Sequence, residues 1–456
     1  MKTRGRRGKK QIRKGRVWVL LNAPWMTTPS GPPPPMGMYS DEELHEMIDN
    51  GDYRPISSAS DLHAIRDTSE RTWGYGTQFQ TSGRAGGLDK KYVLTKGIGI
   101  DLEEFLEGGQ FYNDGAGWEP LGVYPVTPFT GILDGNGFGV NIIVINRPAN
   151  DHQGLIAYAE NAEIKNMAIR GQVDGRDKIG ILVGRVKNTD VTGCFSQGYS
   201  IGRNQVGGGI GMAEDLSTTW FHQNDAEVLS SGDSSGGCVG WNYTGSIMVR
   251  CRNSGTITGH YRTGGVCGDN RQDSFMFECT NIGEVYGTIY VGGVAGNNCV
   301  DTAIDQCRNF GAVHGTGEII GGIVGWNDIG AQLENSHNRA FVEGGDKVGG
   351  AVGSNDEETA VIFHCYSTGV VDGVNDVGGL VGFSVLGATT INSYWDTETS
   401  GKATSPGGGT GLTTNQMTYP YDAAAYDGWD FESTWEEDTE GLNDGYPILQ
   451  FSAHLW

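Results

Sequence analysis

A five-residue glycine core, GGxxG, returns along this chain at a nearly fixed step, and few folds can accommodate that. The cores begin at Gly180, Gly207, Gly236, Gly264, Gly292, Gly321, Gly349 and Gly378, spaced by 27, 29, 28, 28, 29, 28 and 29 residues. A weaker copy, QGLIA, starts at Gln153, which makes nine units. A period between about 20 and 50 residues marks a solenoid, propeller or array. Each unit reads as a short apolar strand, a turn, a second strand near positions such as Cys251 or Cys279, a glycine turn, and a third strand. No stretch shows sustained helical periodicity, so a helical solenoid is disfavoured. A propeller blade needs about 40–50 residues. Short strands in a 28-residue unit fit one coil of an all-β parallel β-helix. In such a coil each residue stacks about 4.8 Å from its counterpart in the next. A corner that needs positive φ or close backbone approach then needs glycine in every copy.

The columns support stacking. Asn242, Asn270, Asn298, Asn327 and Asn355 share one position, where their amides can form a ladder. Cys194, His222, Cys251, Cys279, Cys307, Ser336, Cys365 and Ser393 share another, read as an inward stack of small side chains. Leu155, Leu182, Val266, Val294, Ile323 and Leu380 form a third. Length alone would suggest about three domains; the repeat replaces that with one solenoid. The expected divisions are a basic, Pro-rich arm at 1–37, an N-terminal cap and opening coils at 38–152 with insertions at 69–90 and 103–117, repeats at 153–400, and a C-terminal cap at 401–456. DEELHEMID (41–49) is expected to be a short helix with Ser40 as its N-cap.

These units resemble GLUG-motif repeats of bacterial and archaeal surface proteins. YRPISSASDLHAI (53–65), WEPLG (118–122) and FTGILDGNGFGVNIIV (129–144) resemble the usual lead-in to such arrays, and SYWDTETSG (393–401), WDFESTW (429–435) and DGYPILQF (444–451) the usual exit. The resemblance spans about residues 53–451. It implies a right-handed parallel β-helix acting as a surface, adhesive or stalk-like module.

Charge is unevenly distributed. The net charge is −23, yet residues 1–16 hold nine Lys/Arg and no acid, leaving 23 basic against 55 acidic residues in the rest. Such a body repels nucleic acid and anionic membranes, and it fits a salty medium, where screening relieves self-repulsion. The arm, with Arg4, Arg6, Arg7, Lys9, Lys10, Arg13, Lys14 and Arg16, reads as an attachment tail for an acidic partner surface or for nucleic-acid phosphates. VWVLLNAPWM (17–26) competes as a short signal-peptide core, but Asn22 and Pro24 interrupt it. GPPPPMGMY (31–39) reads as an extended spacer. No run of 18 apolar residues is present, so no membrane-spanning helix is expected.

For chemistry, P-loop and HExxH motifs are missing, the GxSxG spacing of GYSIG (198–202) and GDSSG (232–236) falls in the recurring glycine turns and makes no nucleophile elbow, and no CxxC supports a zinc site. Thr258, Tyr286, His314, Glu343 and Asp372 occupy one outward column. His314, Glu343 and Asp372 would then lie at about 5 Å intervals, a spacing that fits a carboxylate pair for glycoside cleavage or a shared structural divalent cation. The plainer reading is a solvated polar stripe, with no cofactor. Trp241, Trp326 and Phe383 share a corner position and could stack on sugar rings or a partner; the plainer reading is packing against a neighbouring loop. TWGYGTQF (72–79) and PWM (24–26) could dock against a second subunit in a homo-oligomer.

The expectation is a non-catalytic, surface-exposed structural or adhesive solenoid. It would sit on the virion exterior of a tailed virus as a spike, fibre or capsid decoration, held to other structural proteins through its arm and facing a host receptor or cell-surface glycan. An exported bacterial or archaeal adhesin is the first rival, and an envelope-polysaccharide hydrolase or lyase the second.

Overall fold

The computed structural model describes residues 38–450, apart from 75 and 386. The basic arm (Arg4, Arg6, Arg7, Lys9, Lys10, Arg13, Lys14, Arg16), the apolar run at 17–26 and the proline spacer up to 37 lie outside the described residues.

The chain winds into a parallel β-solenoid of about nine regular coils. One wall stacks twelve strands, from Tyr53–Ile56 to Thr389–Ile391; a second stacks nine, from Ile156–Glu160 to Val381–Ser384; a third stacks eight, from Asp177–Ile179 to Asn375–Gly378. A fourth runs from Ile98–Gly99 to Thr410–Leu412. Each coil therefore crosses four walls, one more than the three strands expected, because the segment read as a single third strand bends again into the eight-stranded wall. Register holds throughout: Val239 pairs with Cys267, Cys267 with Ala295, Ala295 with Val324 and Val324 with Val352. At about 4.8 Å per rung, the twelve-stranded wall extends roughly 53 Å.

The bends do not work as expected. The recurring glycines of the GGxxG core keep negative φ, whereas Ser234, Arg262, Tyr290, Ile319, Lys347 and Asp376 sit one per coil in the left-handed region, with φ between 47° and 66°. Left-handed backbone costs an ordinary residue about 1–2 kcal/mol, which the coil-to-coil hydrogen bonds must offset. The core glycines serve close approach instead. A Cβ on Gly265 would lie 2.1 Å from the Gly293 carbonyl oxygen and 2.3 Å from the Asn281 side chain. The glycine column thus makes room for an asparagine column on the facing wall.

That second asparagine column escaped the sequence reading. Asn224, Asn253, Asn281 and Asn309 each donate Nδ2 to the next asparagine's Oδ1, ending on Asn338, all at 2.8 Å. The expected ladder forms as well: Asn242 donates to Asn270, Asn270 to Asn298, Asn298 to Asn327 and Asn327 to Asn355, at 2.8–2.9 Å. All these asparagines are essentially buried, so each amide needs its partner. The cysteine column points inward as expected, with every thiol free and buried.

Both ends are covered. Helix α1 (Asp41–Asp49) starts at Ser40, whose Oγ accepts from the Glu43 N–H while the Glu43 carboxylate accepts from the Ser40 N–H. Its Leu44 and Ile48 pack with Phe79 and Val93 beside the first rungs. The 69–90 insertion is an antiparallel hairpin, Glu70–Trp73 against Thr81–Ala85. Trp73 and Phe79 are buried within this chain, which corrects their expected role at a subunit contact. At the far end Trp395 pairs with Ser367 and takes the ladder position, closing the column beside Gly379. Residues 413–450 then fold back over the outside of the fourth wall. Tyr366, Tyr394, Met417, Tyr426, Trp429, Trp435, Tyr446 and Leu449 form one aromatic core there.

Candidate functional site

The outward stripe is in register as expected: Thr258 pairs with Tyr286, Tyr286 with His314, His314 with Glu343 and Glu343 with Asp372. The Tyr286 ring stacks on His314 at 4.7 Å, and His314 Nδ1 lies 2.7 Å from Glu343 Oε1. Asp372 Oδ1 accepts at 2.9 Å from the Gly373 N–H. Glu343 therefore bonds histidine while Asp372 bonds the adjacent backbone, so the two carboxylates have different partners. Among the described residues no group of three or more His, Cys, Asp or Glu is placed to hold a metal ion.

Trp241, Trp326 and Phe383 also share a column, with Asp269, Asn297 and Ser354 between them. All three rings are half-buried and have neighbours. Trp241 packs on Tyr243 at 4.5 Å, Trp326 stacks on Tyr290 at 4.7 Å and donates Nε1 to Asp356, and the Lys347 ammonium lies 4.7 Å from the Phe383 ring. Between the two tryptophans, buried Asn297 donates to buried Asp269 at 2.6 Å, and burial raises the Asp269 carboxyl above its usual range.

A cleft of about 420 Å³ opens where the folded-back segment leaves the fourth wall. Its floor is Arg308, Phe310, His337 and Arg339; its far side is Glu436, Glu437, Thr439, Glu440 and Leu442. Arg308 and His337 are in-register neighbours on adjacent coils. Arg308 is 8% exposed, donates Nε to Thr280 Oγ1 at 3.0 Å, and sits 5.6 Å from the Phe310 ring. Burial pushes its guanidinium down to about 10. His337 stacks on Tyr366 at 4.8 Å. Burial, with Arg308 and Arg339 beside it, holds its imidazole well below the usual histidine range. Arg339 bonds Asn443 and Asp444 from the folded-back segment. Sequence reading missed this place. The available signal was the outward column itself, which changes from Gln223, Arg252 and Thr280 to His337, Tyr366 and Tyr394: such a run of rings marks a covered wall.

No family model matches the chain. An 86-residue stretch, 18% of the chain, is 36% identical to halomucin of Haloquadratum walsbyi, and the match spans 1% of that protein's length. A crystal structure of a Bacteroides ovatus protein, provisionally assigned as an immunoglobulin A1 protease, aligns over 87% of this chain and 92% of its own, with 15% identity and a TM-score of 0.36.

Proposed function

We propose that this chain is a surface-exposed structural and adhesive module, a stiff β-solenoid displayed on the outside of a larger assembly and attached through its basic arm. The observation that carries this reading is the unbroken stack. Twelve rungs in one wall are each hydrogen-bonded to the next, and two buried amide ladders run beside one another inside. An array in which each coil contacts only its neighbours resists bending and presents the same faces along its length. The acidic body keeps such a module soluble and apart from like-charged surfaces. The resemblance of the repeats to GLUG-motif arrays, and the partial likeness to a protein named halomucin, support an exterior setting.

The finer form of the proposal is a virion component of a tailed virus, with residues 1–37 as the anchor. Purified particles then contain the protein, external protease reaches its body, and deleting residues 1–37 abolishes incorporation. Retained incorporation without those residues overturns this form. An exported cell-surface adhesin is the second reading, favoured by the halomucin likeness; terminal sequencing of the native protein that starts about 25–30 residues into the chain would select it. Cleavage of host glycan that Glu343→Gln or Asp372→Asn stops would overturn the non-catalytic reading in favour of a polysaccharide hydrolase or lyase.

A further inference from the structure

We infer that the cleft between the fourth wall and the folded-back segment is a docking site for a basic peptide segment of a partner protein. It takes a lysine or arginine side chain, with the stem on Phe310 and the charge against Glu436, Glu437 and Glu440.

The cleft is of ligand size, since pockets that hold small molecules start near 300 Å³ and this one encloses about 420 Å³. Four carboxylates line it against two guanidinium groups, so its lining is net negative. Both guanidinium groups are engaged from within the chain. Arg308 donates to Thr280 Oγ1 and packs on Phe310, while Arg339 is bonded to Asn443 and paired with Asp444. Asp438 is engaged as well, accepting from the Leu442, Asn443 and Gly445 N–H groups at 2.7 Å each. The carboxylates of Glu436, Glu437 and Glu440 are different. They are exposed, and among the described residues they have neither a hydrogen bond nor an ion pair.

A further acceptor is buried. His337 is 2% exposed, and its Nδ1 has no hydrogen-bond partner among the described residues. Burial and the two neighbouring arginines keep the imidazole neutral, and a neutral imidazole nitrogen can accept. A buried polar nitrogen left unpaired costs about 1–3 kcal/mol, which an incoming N–H donor would relieve. The unanswered polar groups of the cleft are therefore acceptors, and they call for a cation rich in N–H. Apolar surface lies beside them. Phe310 is 41% exposed, Leu442 is 78% exposed, and Ile282, one coil from Phe310, is 40% exposed. Lysine and arginine carry an apolar stem behind the charge. A bare metal ion would leave Phe310 and Leu442 unused, and an apolar ligand would leave the glutamates unused. A basic side chain on an extended segment matches both.

This inference deepens the adhesive reading and rests on it for its biological setting. Its test reads binding alone, so the two can fail separately. Dye-labelled pentalysine is titrated with the full-length protein by fluorescence anisotropy at about 0.15 M salt, where long-range attraction to the acidic body is screened. Expected are saturable one-to-one binding and none with the same peptide acetylated on every side chain. The combined variant Glu436→Gln, Glu437→Gln, Glu440→Gln should weaken binding about tenfold or more. Glu46→Gln, Glu103→Gln, Glu107→Gln, which removes the same charge elsewhere, should weaken it less than about threefold. Phe310→Ala should weaken it about threefold or more. All these positions are exposed, so the variants keep the fold. No saturable binding, equal losses in the two triple variants, or unchanged binding in Phe310→Ala would each overturn the assignment. Displacement by glucosamine as readily as by unlabelled pentalysine would also overturn it, in favour of an amino sugar. Particle or surface fractionation, which tests display, is unaffected by any of these results.

Discussion

The coils between residues 180 and 384 and the fold-back at 413–450 both bury their cores, by opposite means. In the coils one contact is repeated: valine on valine, amide on amide, cysteine on cysteine, a coil apart. In the fold-back every contact occurs once. Tyr366 donates its hydroxyl to the Pro447 carbonyl, Trp429 donates Nε1 to the Asn392 carbonyl, and Tyr446 donates to Asp396. A repeated contact tolerates a local flaw, because neighbouring coils still template the damaged one. A contact made once has no such support. The comparison teaches that redundancy holds the stalk, while a few large rings hold the segment that shapes the cleft.

The largest break in this contrast is expected from Trp435→Ala. Trp435 is fully buried against Trp429 at 4.5 Å, and removing such a ring costs about 3–5 kcal/mol. The fold-back should open to protease between 418 and 450 while the strand signal in circular dichroism stays. Loss of both together would show that the two regions form one cooperative unit.

Next in size is a flaw inside the regular column. His222 stands where other coils carry cysteine, is fully buried, and burial lowers its imidazole to about 4. Above the ordinary histidine value near 6.5 it is neutral both folded and unfolded, and its contribution to stability is flat. As pH falls from 6.5 towards 4 the unfolded chain takes up a proton that the folded chain resists, so stability is lost, by about 3 kcal/mol in full. His222→Cys should flatten the fall in melting temperature over that window; an unchanged slope would refute the assignment.

Gly265→Ala comes third. The added methyl would meet the Gly293 carbonyl and the Asn281 amide, and overpacking of this kind costs about 1–3 kcal/mol. Chemical denaturation should show the loss in the solenoid transition, with the fold-back's protease resistance unchanged. The smallest effect is expected from Glu343→Gln, which removes a surface contact to His314 and should shift stability by less than about 1 kcal/mol.

What could be read beforehand follows the same divide. Period, inward cysteines, the Asn242–Asn355 ladder and the capped helix at 41–49 were legible, because each is written many times or carries a local signature. The Asn224–Asn338 ladder was present in the letters two residues after each cysteine-column position, but its meaning depends on which wall faces the glycines. The bends were misread because a left-handed residue need not be glycine when the next coil holds it: Tyr290 and Ile319 adopt φ of 56° and 66°. The cleft was illegible because Arg308, His337 and Glu440 meet only when a non-repeating segment turns back on the wall. The stripe through His314 was placed correctly, but the diverging partners of Glu343 and Asp372 are side-chain choices that spacing does not fix.

The most direct test of the central claim is a ruler along one wall. Spin labels at Asp190 and Gln332, both exposed and linked in register through Thr218, Ile247, Phe275 and Ala303, are five rungs apart. Labels at Asp190 and Thr389, two rungs further through Val361, are seven apart. At about 4.8 Å per rung, pulsed electron spin resonance should return narrow backbone separations near 24 and 34 Å. Broad distributions, or a second distance no longer than the first, would contradict a stiff stack of coils and the displayed module built on it.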